Sequence, residues 1–166
     1  MKIKITADST CSLGSMHGDQ ISIIPLHVVT DDGEMLDGVN IHPDDIYASV
    51  QAGKAIPKTA AINIAEYSDL FERALGGADA VVHISLGSEI SSSHTNALLA
   101  AEGLPVWCID SGMLAMGSGI QAEKALEWAE DGMKPEDIAA KIPEVASHIN
   151  GSFIIEQLDY LRAGGR

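Results

Sequence analysis

Basic residues are scarce in this chain: ten Lys and Arg stand against 24 Asp and Glu, a formal charge of −14 over 166 residues. That excess repels phosphate backbones and anionic bilayer surfaces within a Debye length or so, which argues against nucleic acid as a partner. Cysteine is almost absent. Cys11 and Cys108 lack metal-type spacing, and the opening "MKIKITADST" has no apolar block of a secretory signal, so no disulfide is expected. Both thiols read as inert residues of a cytoplasmic protein. No uninterrupted apolar run approaches the length that spans a bilayer, so integral membrane association is not expected. Internal repeats and low-complexity stretches are missing as well.

What remains is globular in character, 46% apolar and 20% charged, and long enough for one domain with a sizeable core. Apolar runs rich in β-branched residues predict strands over Ile3 to Thr6, Ile21 to Thr30, Ala80 to Ile84, Val106 to Ile109 and Ser152 to Ile155. Helical periodicity falls between them, over Pro43 to Ala52, Ile64 to Leu75, Ser93 to Ala101, Leu114 to Ala129 and Pro135 to His148. Strands alternating with helices imply right-handed parallel crossovers, hence an α/β class with a mostly parallel sheet and helices on both faces. Asn63 with Glu66 has the spacing of a capping box, and Pro135 with Glu136 and Asp137 suits the first turn of a helix. Residues 1–150 are read as this domain. The tail "SFIIEQLDYLRAGGR" reads as a strand and short helix that open a further, truncated unit over residues 151–166.

Ligands of open parallel sheets gather beyond the carboxyl ends of the strands. "ADSTCS", "SLGSEISSS" and "DSG" follow predicted strands, and "PKTAAIN" precedes a helix, so Asp8, Ser9, Thr10, Thr59, Ser85, Ser88, Ser91, Ser92, Ser93, Asp110 and Ser111 are candidates for one polar mouth. Equally, each loop can serve only to cap its helix, because Ser, Thr, Asp and Asn are what caps require. A serine nucleophile would need a base and an oxyanion site. The G-x-S-x-G elbow does not occur, and His94 after the serine run leaves a Ser/His pair open. None of the six histidines has the paired spacing of a metal site. "GSGIQA", Gly117 to Ala122, matches the dinucleotide pattern formally, but "SGMLAM" separates it from the preceding strand. Its glycines are better suited to close packing of a helix on the sheet.

The segments "TADSTCSL", "IIPLHVV", "LDGVNI", "PKTAAIN", "SLGSEISSSHTNA", "IDSG" and "LDYLRAGGR" stand in the order found in the DegV family, which the whole chain resembles. The resemblance implies a DegV-like first α/β domain, a second domain beyond it, and a long-chain fatty acid held between the two. It further implies a non-catalytic acyl-binding subunit, with no cofactor beyond the lipid, that presents the carboxylate to the catalytic subunit of a fatty-acid kinase. By position, Thr59 and Ser91 match the two family hydroxyls that contact the carboxylate, and Arg166 matches a residue of the kinase-facing surface. Asp8, Ser9, Ser92 and Ser93 are expected on the same rim, with Ser93 as the cap of the helix behind it.

The pattern departs from the family at Ala60, Ala61, Ile62 and Asn63, which replace S-Q-P-S, at Gly87 in place of a usual serine, and at Ser92 in place of glycine. A tail of ~15 buried methylenes would contribute on the order of 12 kcal/mol. Because the chain stops at Arg166, where the family continues into a second domain that also carries a carboxylate-holding histidine, a monomer of this length is expected to bind lipid weakly and to pair as a homodimer through the uncovered face. Two other classes stay open: an enzyme, either phosphotransferase-like through Asp8 and Asp110 or a serine hydrolase, and a ligand-free interaction domain.

Overall fold

The computed structural model describes residues 1–152 together with Ile154, Leu158 and Arg162. The expected strand over Ser152 to Ile155, the helix after it and Arg166 rest on residues outside the described ones. In chain order the elements are β1 (Ile3–Asp8), a 3-10 turn (Ser9–Cys11), β2 (Ile21–Ile24), β3 (His27–Thr30), β4 (Gly33–Leu36), α1 (Pro43–Gln51), β5 (Lys58–Ala60), α2 (Ile64–Leu75), β6 (Ala80–Ser85), α3 (Ser93–Ala100), β7 (Val106–Asp110), α4 (Met116–Glu130) and α5 (Pro135–Ser147).

The main sheet is parallel throughout, in the order β2-β1-β6-β7, with Ile5 opposite both Ile21 and Val82. From β1 the chain first moves outward to β2 and later returns to lay β6 on the other side. The strand order therefore reverses between β1 and β6, and loops diverge there to leave a crevice.

Strand alternation sorts the side chains. Ile5 and Ala7 of β1, with Val82 and Ile84 of β6, point to the face covered by α4 and α5, against Ala122, Ala125, Trp128, Ile138 and Ile142. The opposite face is covered by α2 and α3, where Val81 packs with Tyr67, Leu70, Phe71 and Ala97. The expected α/β class with helices on both faces is what the chain forms. Gly119 shows why "GSGIQA" is glycine-rich: a Cβ there would lie 2.5 Å from the carbonyl oxygen of Cys11. The glycine lets α4 rest directly on the turn after β1, as expected for close helix packing.

Two expectations need correction. The single strand over Ile21 to Thr30 is two strands in two sheets, because Pro25 has no N–H to continue a ladder. After it, β3 pairs antiparallel with β4 and β5 in a small sheet of order β4-β3-β5, with Val28 opposite Met35 and Thr59. The second correction is at β1, which runs to Asp8 and not to Thr6.

The small sheet is tied to α2 by His27. Its Nε2 lies 2.8 Å from Glu66, and Nδ1 meets Glu34 of β4. Glu66 also closes the expected capping box, accepting from the Asn63 N–H while Asn63 Oδ1 accepts from the Glu66 N–H, both at 3.0 Å. Burial alone would lower the His27 pKa, but the two carboxylates outweigh it and hold it above the ordinary value. The stabilisation it brings is complete below the unfolded imidazole value of about 6.5 and is lost as pH rises through the higher folded value. The urea midpoint of the native chain is therefore expected to fall relative to His27→Gln as pH is raised from about 6 toward 9. A constant difference across that range would show that the imidazolium contributes nothing.

Candidate functional site

The carboxyl ends of β1, β6 and β7 carry the polar loops, and α2, α3 and α4 begin at the same rim. The structure divides the candidate residues into a buried layer and an exposed one.

Asp8 belongs to the buried layer. It is 1% exposed and lies beneath the rim, a correction to its expected place on it. Because β1 continues two residues past Thr6, Asp8 shares the face of Thr6 and points toward α2. There it accepts from the Tyr67 hydroxyl and from the Leu86 N–H, each at 2.7 Å. His83 Nε2 stands 3.3 Å from the same carboxylate, and Nδ1 meets Thr6 Oγ1 at 2.9 Å. Burial opposes the charge on Asp8, yet His83, the Leu86 N–H and Tyr67 together hold its carboxyl below the ordinary value. The same burial and the facing Asp8 push the Tyr67 phenol far up, so it remains a neutral donor.

Above this layer, the Ser91 and Ser93 hydroxyls lie 2.9 Å apart, and Ser91 Oγ accepts from the Ser93 N–H at 3.2 Å. Ser93 is not the cap of α3. It is the first residue of the helix and fully buried, while the exposed Ser92 holds the cap position without a side-chain cap bond. Ser91 supplies the local capping contact because its hydroxyl reaches forward two residues.

Ser9 is half-buried and already engaged: it donates to Asp37 at 2.6 Å and accepts from the Leu26 N–H at 3.0 Å, pinning the end of β1 to the small sheet. Thr59 is exposed on β5, opposite Val28. Its loop is clasped to α3 where Asn96 Nδ2 donates to the Ile62 carbonyl at 2.7 Å. Asp110 organises the turn beyond β7, accepting from the Ser88 N–H at 3.0 Å and the Gly112 N–H at 2.9 Å. Burial acts against its charge, and the bonds from Ser88 and Gly112 prevail, holding its carboxyl below the usual range.

The Ser/His arrangement left open by the sequence is not formed at Ser91. His94 turns its Nδ1 to the buried Ser85 hydroxyl at 3.1 Å, and burial lowers its pKa. Among the described residues no cluster of three or more His, Cys, Asp or Glu side chains could hold a metal ion, and no helix is long and apolar enough to cross a membrane. Burial, then Asp8, push the Cys108 thiol up to about 12, and Cys11 is raised by burial too. Neither is a reactive thiolate near neutrality.

Sequence reasoning missed Tyr67 and treated His83 as one scattered histidine. A usable signal existed in "AVVHIS": a histidine inside a strand buried on both faces has to find a polar partner. A groove of about 1260 Å³ lies elsewhere, along the starts of β1 and β2 between Arg73 and Ala129, and holds none of these hydroxyls.

Gly87 is the departure with a steric consequence. A Cβ there would lie 2.9 Å from both the Gly112 carbonyl carbon and the Met113 nitrogen. Gly87→Ser is therefore expected to push the 112–113 turn away, weaken the Asp110 bonds to Ser88 and Gly112, and cost about 1–3 kcal/mol. Faster amide exchange at Ser88 and Gly112 would register it; unchanged exchange and stability would show that the turn yields freely.

The DegV family model, described as an uncharacterised protein family, matches residues 2–166. A DegV domain-containing protein of Deinococcus radiodurans is 31% identical over 170 residues, covering all of this chain and 60% of that protein. A DegV family protein from Thermus thermophilus, described for its fatty-acid binding, superposes with a TM-score of 0.88 at 26% identity, over 100% of this chain and 61% of that one. DegV of Bacillus subtilis, described as a fatty acid binding protein, gives 0.80 at 28% identity, over 89% and 54%. The chain thus spans about 60% of the length of the Deinococcus relative, and in sequence and fold alike it belongs to the DegV family.

Proposed function

We propose that this chain binds the head group of a long-chain fatty acid at the rim formed by Ser91 and Thr59, is itself non-catalytic, and exposes the carboxylate to a partner kinase. One observation supports this reading more than any other. The loops and helix starts that carry these hydroxyls also carry exposed large apolar side chains, Ile64, Ile90, Leu114 and Met116. Hydroxyls and exposed apolar side chains carried on the same loops suit an amphiphile with one polar end. The fatty acids bound by the Thermus and Bacillus proteins are of that chemistry.

A hydroxyl bonded to a charged acceptor contributes about 1.5–3 kcal/mol. Titration of the full chain with palmitate is expected to saturate, and Ser91→Ala to weaken binding by about 10- to 100-fold. Thr59→Val should act in the same direction. A folded chain that takes up no fatty acid, or one indifferent to both substitutions, would sink the assignment. Phosphorylation of the bound carboxylate by an ATP-using subunit, followed as acyl phosphate trapped with hydroxylamine, tests the partner.

A further inference from the structure

β2 is an edge of the main sheet, and next to its start β1 is bare as well. β2 pairs with β1 only from Ile5 onward, whereas β6 pairs with it from Ile3. Among the described residues no strand covers the outer side of β2 or the first residues of β1 on that side. Both edges open into the groove of about 1260 Å³. Backbone N–H and C=O groups along a free edge are ready to pair with another strand.

The period of two gives the groove unlike walls. Lys2 and Lys4 share the face of Thr6 and Asp8, and Ser22 lies opposite Thr6, so these side chains belong to the α2 side. There Leu70, Arg73 and Ala74, three and four residues apart, line the groove from one side of α2. Ile3, Ile21 and Ile23 share the face of Ile5 and Ala7, where Leu126 and Ala129 of α4 line it. One wall is therefore cationic and the other apolar. In a chain of charge −14, three of the ten Lys and Arg side chains meet at this one groove. None of the three forms an ion pair among the described residues. Two acidic residues line it as well: Glu130 accepts from Gln20 at 2.9 Å, and the Asp19 carbonyl accepts from the Lys4 ammonium.

We propose that this slot takes an extended segment of a partner protein, added as a strand beside β2, with acidic side chains toward α2 alternating with apolar ones toward α4. An added strand has the same period of two, so its alternation matches the two walls. Main-chain bonds hold it, and the walls select it. A second copy of this chain suits the slot poorly, because its own free edge, "ISII", brings no carboxylate and each copy carries −14. The slot lies at the starts of the strands and the Ser91 rim beyond their ends, so both can be filled at once.

The test titrates the full chain with a capped peptide of about six residues alternating valine and glutamate, and with its valine–lysine counterpart. The glutamate peptide is expected to bind about tenfold more tightly, with an affinity that falls as salt is raised. Amide exchange in the saturated chain should slow at alternate residues of β2. Arg73→Glu, an exposed change, should weaken the glutamate peptide about fivefold and strengthen the lysine peptide. N-methylation of alternate peptide residues, made in both phases, should abolish binding in the phase that faces β2. Equal affinity for the two peptides, binding that survives both methylations, or protection confined to residues away from β2 overturns the proposal. So does a chain that binds neither peptide. Protection of β2 that grows with protein concentration in the absence of peptide also overturns it, and assigns the slot to a second copy.

Discussion

Asp8→Ala is expected to destabilise the chain by about 3–5 kcal/mol, the range for removing one partner of a buried charged cluster. Two donors lose their acceptor at once, the Tyr67 hydroxyl and the Leu86 N–H, and the His83 imidazole loses the carboxylate it faces at 3.3 Å. All are buried, so water cannot replace the carboxylate without opening the crevice between β1 and β6. Urea unfolding at pH 7 measures the loss, and a value below about 1 kcal/mol would mean that the cluster relaxes around a cavity.

The same carboxylate fixes the sign of an acid dependence. Its folded pKa lies below the unfolded one, so the ionised form's contribution is fully present above the unfolded value of about 3.9 and drains as pH falls through the folded value. The excess stability over Asp8→Asn should stay level from about pH 8 to 5 and shrink only in more acid solution. An excess that grows on acidification would reverse the assignment of charge to Asp8.

How far this was legible in the sequence can be judged residue by residue. The parallel sheet and its covering helices follow from β-branched runs alternating with helical periods, and those signals are long enough to survive without tertiary context. The small sheet is different. β4 is "GEML" and β5 is "KTA", short strands with little β-propensity, and they exist because β3 stands between them. An aspartate after an apolar run ordinarily starts a loop, which in sequence puts Asp8 on the rim. The pairing of Asp8 with Ile24 of β2, together with the bond from the Leu86 N–H beyond β6, reveals it as the end of a strand. Ser93 likewise reads as a cap in sequence because it opens a helix, whereas the hydroxyl that bonds its N–H is two residues earlier. Both errors concern which side of a backbone a polar side chain faces, and in each the answer came from a neighbouring element.

Phe71→Ala is the second large effect expected, about 3–5 kcal/mol, and it bears on the site as well as the core. Phe71 is fully buried on α2, stacked on Tyr67 with centroids 5.8 Å apart, and edge-on to His83 at 5.5 Å. Tyr67 is in turn edge-on to His83 at 5.2 Å. The three rings form one packed unit, and two of its members hold Asp8. Truncating the third leaves a cavity beside both, so Tyr67 gains room to swing away from the carboxylate. The loss should therefore exceed that of Phe71→Leu by about 2 kcal/mol, since leucine fills most of the volume. It should also be non-additive with Asp8→Ala, because each change removes support on which the other depends. A double-mutant cycle by urea unfolding at pH 7 checks this. The expected coupling is about 0.5–3 kcal/mol, with the double variant less damaged than the sum of the single changes. Simple additivity would mean that the ring cluster packs the core without steadying Asp8, whose place would then be held by the β1 and β6 backbones alone.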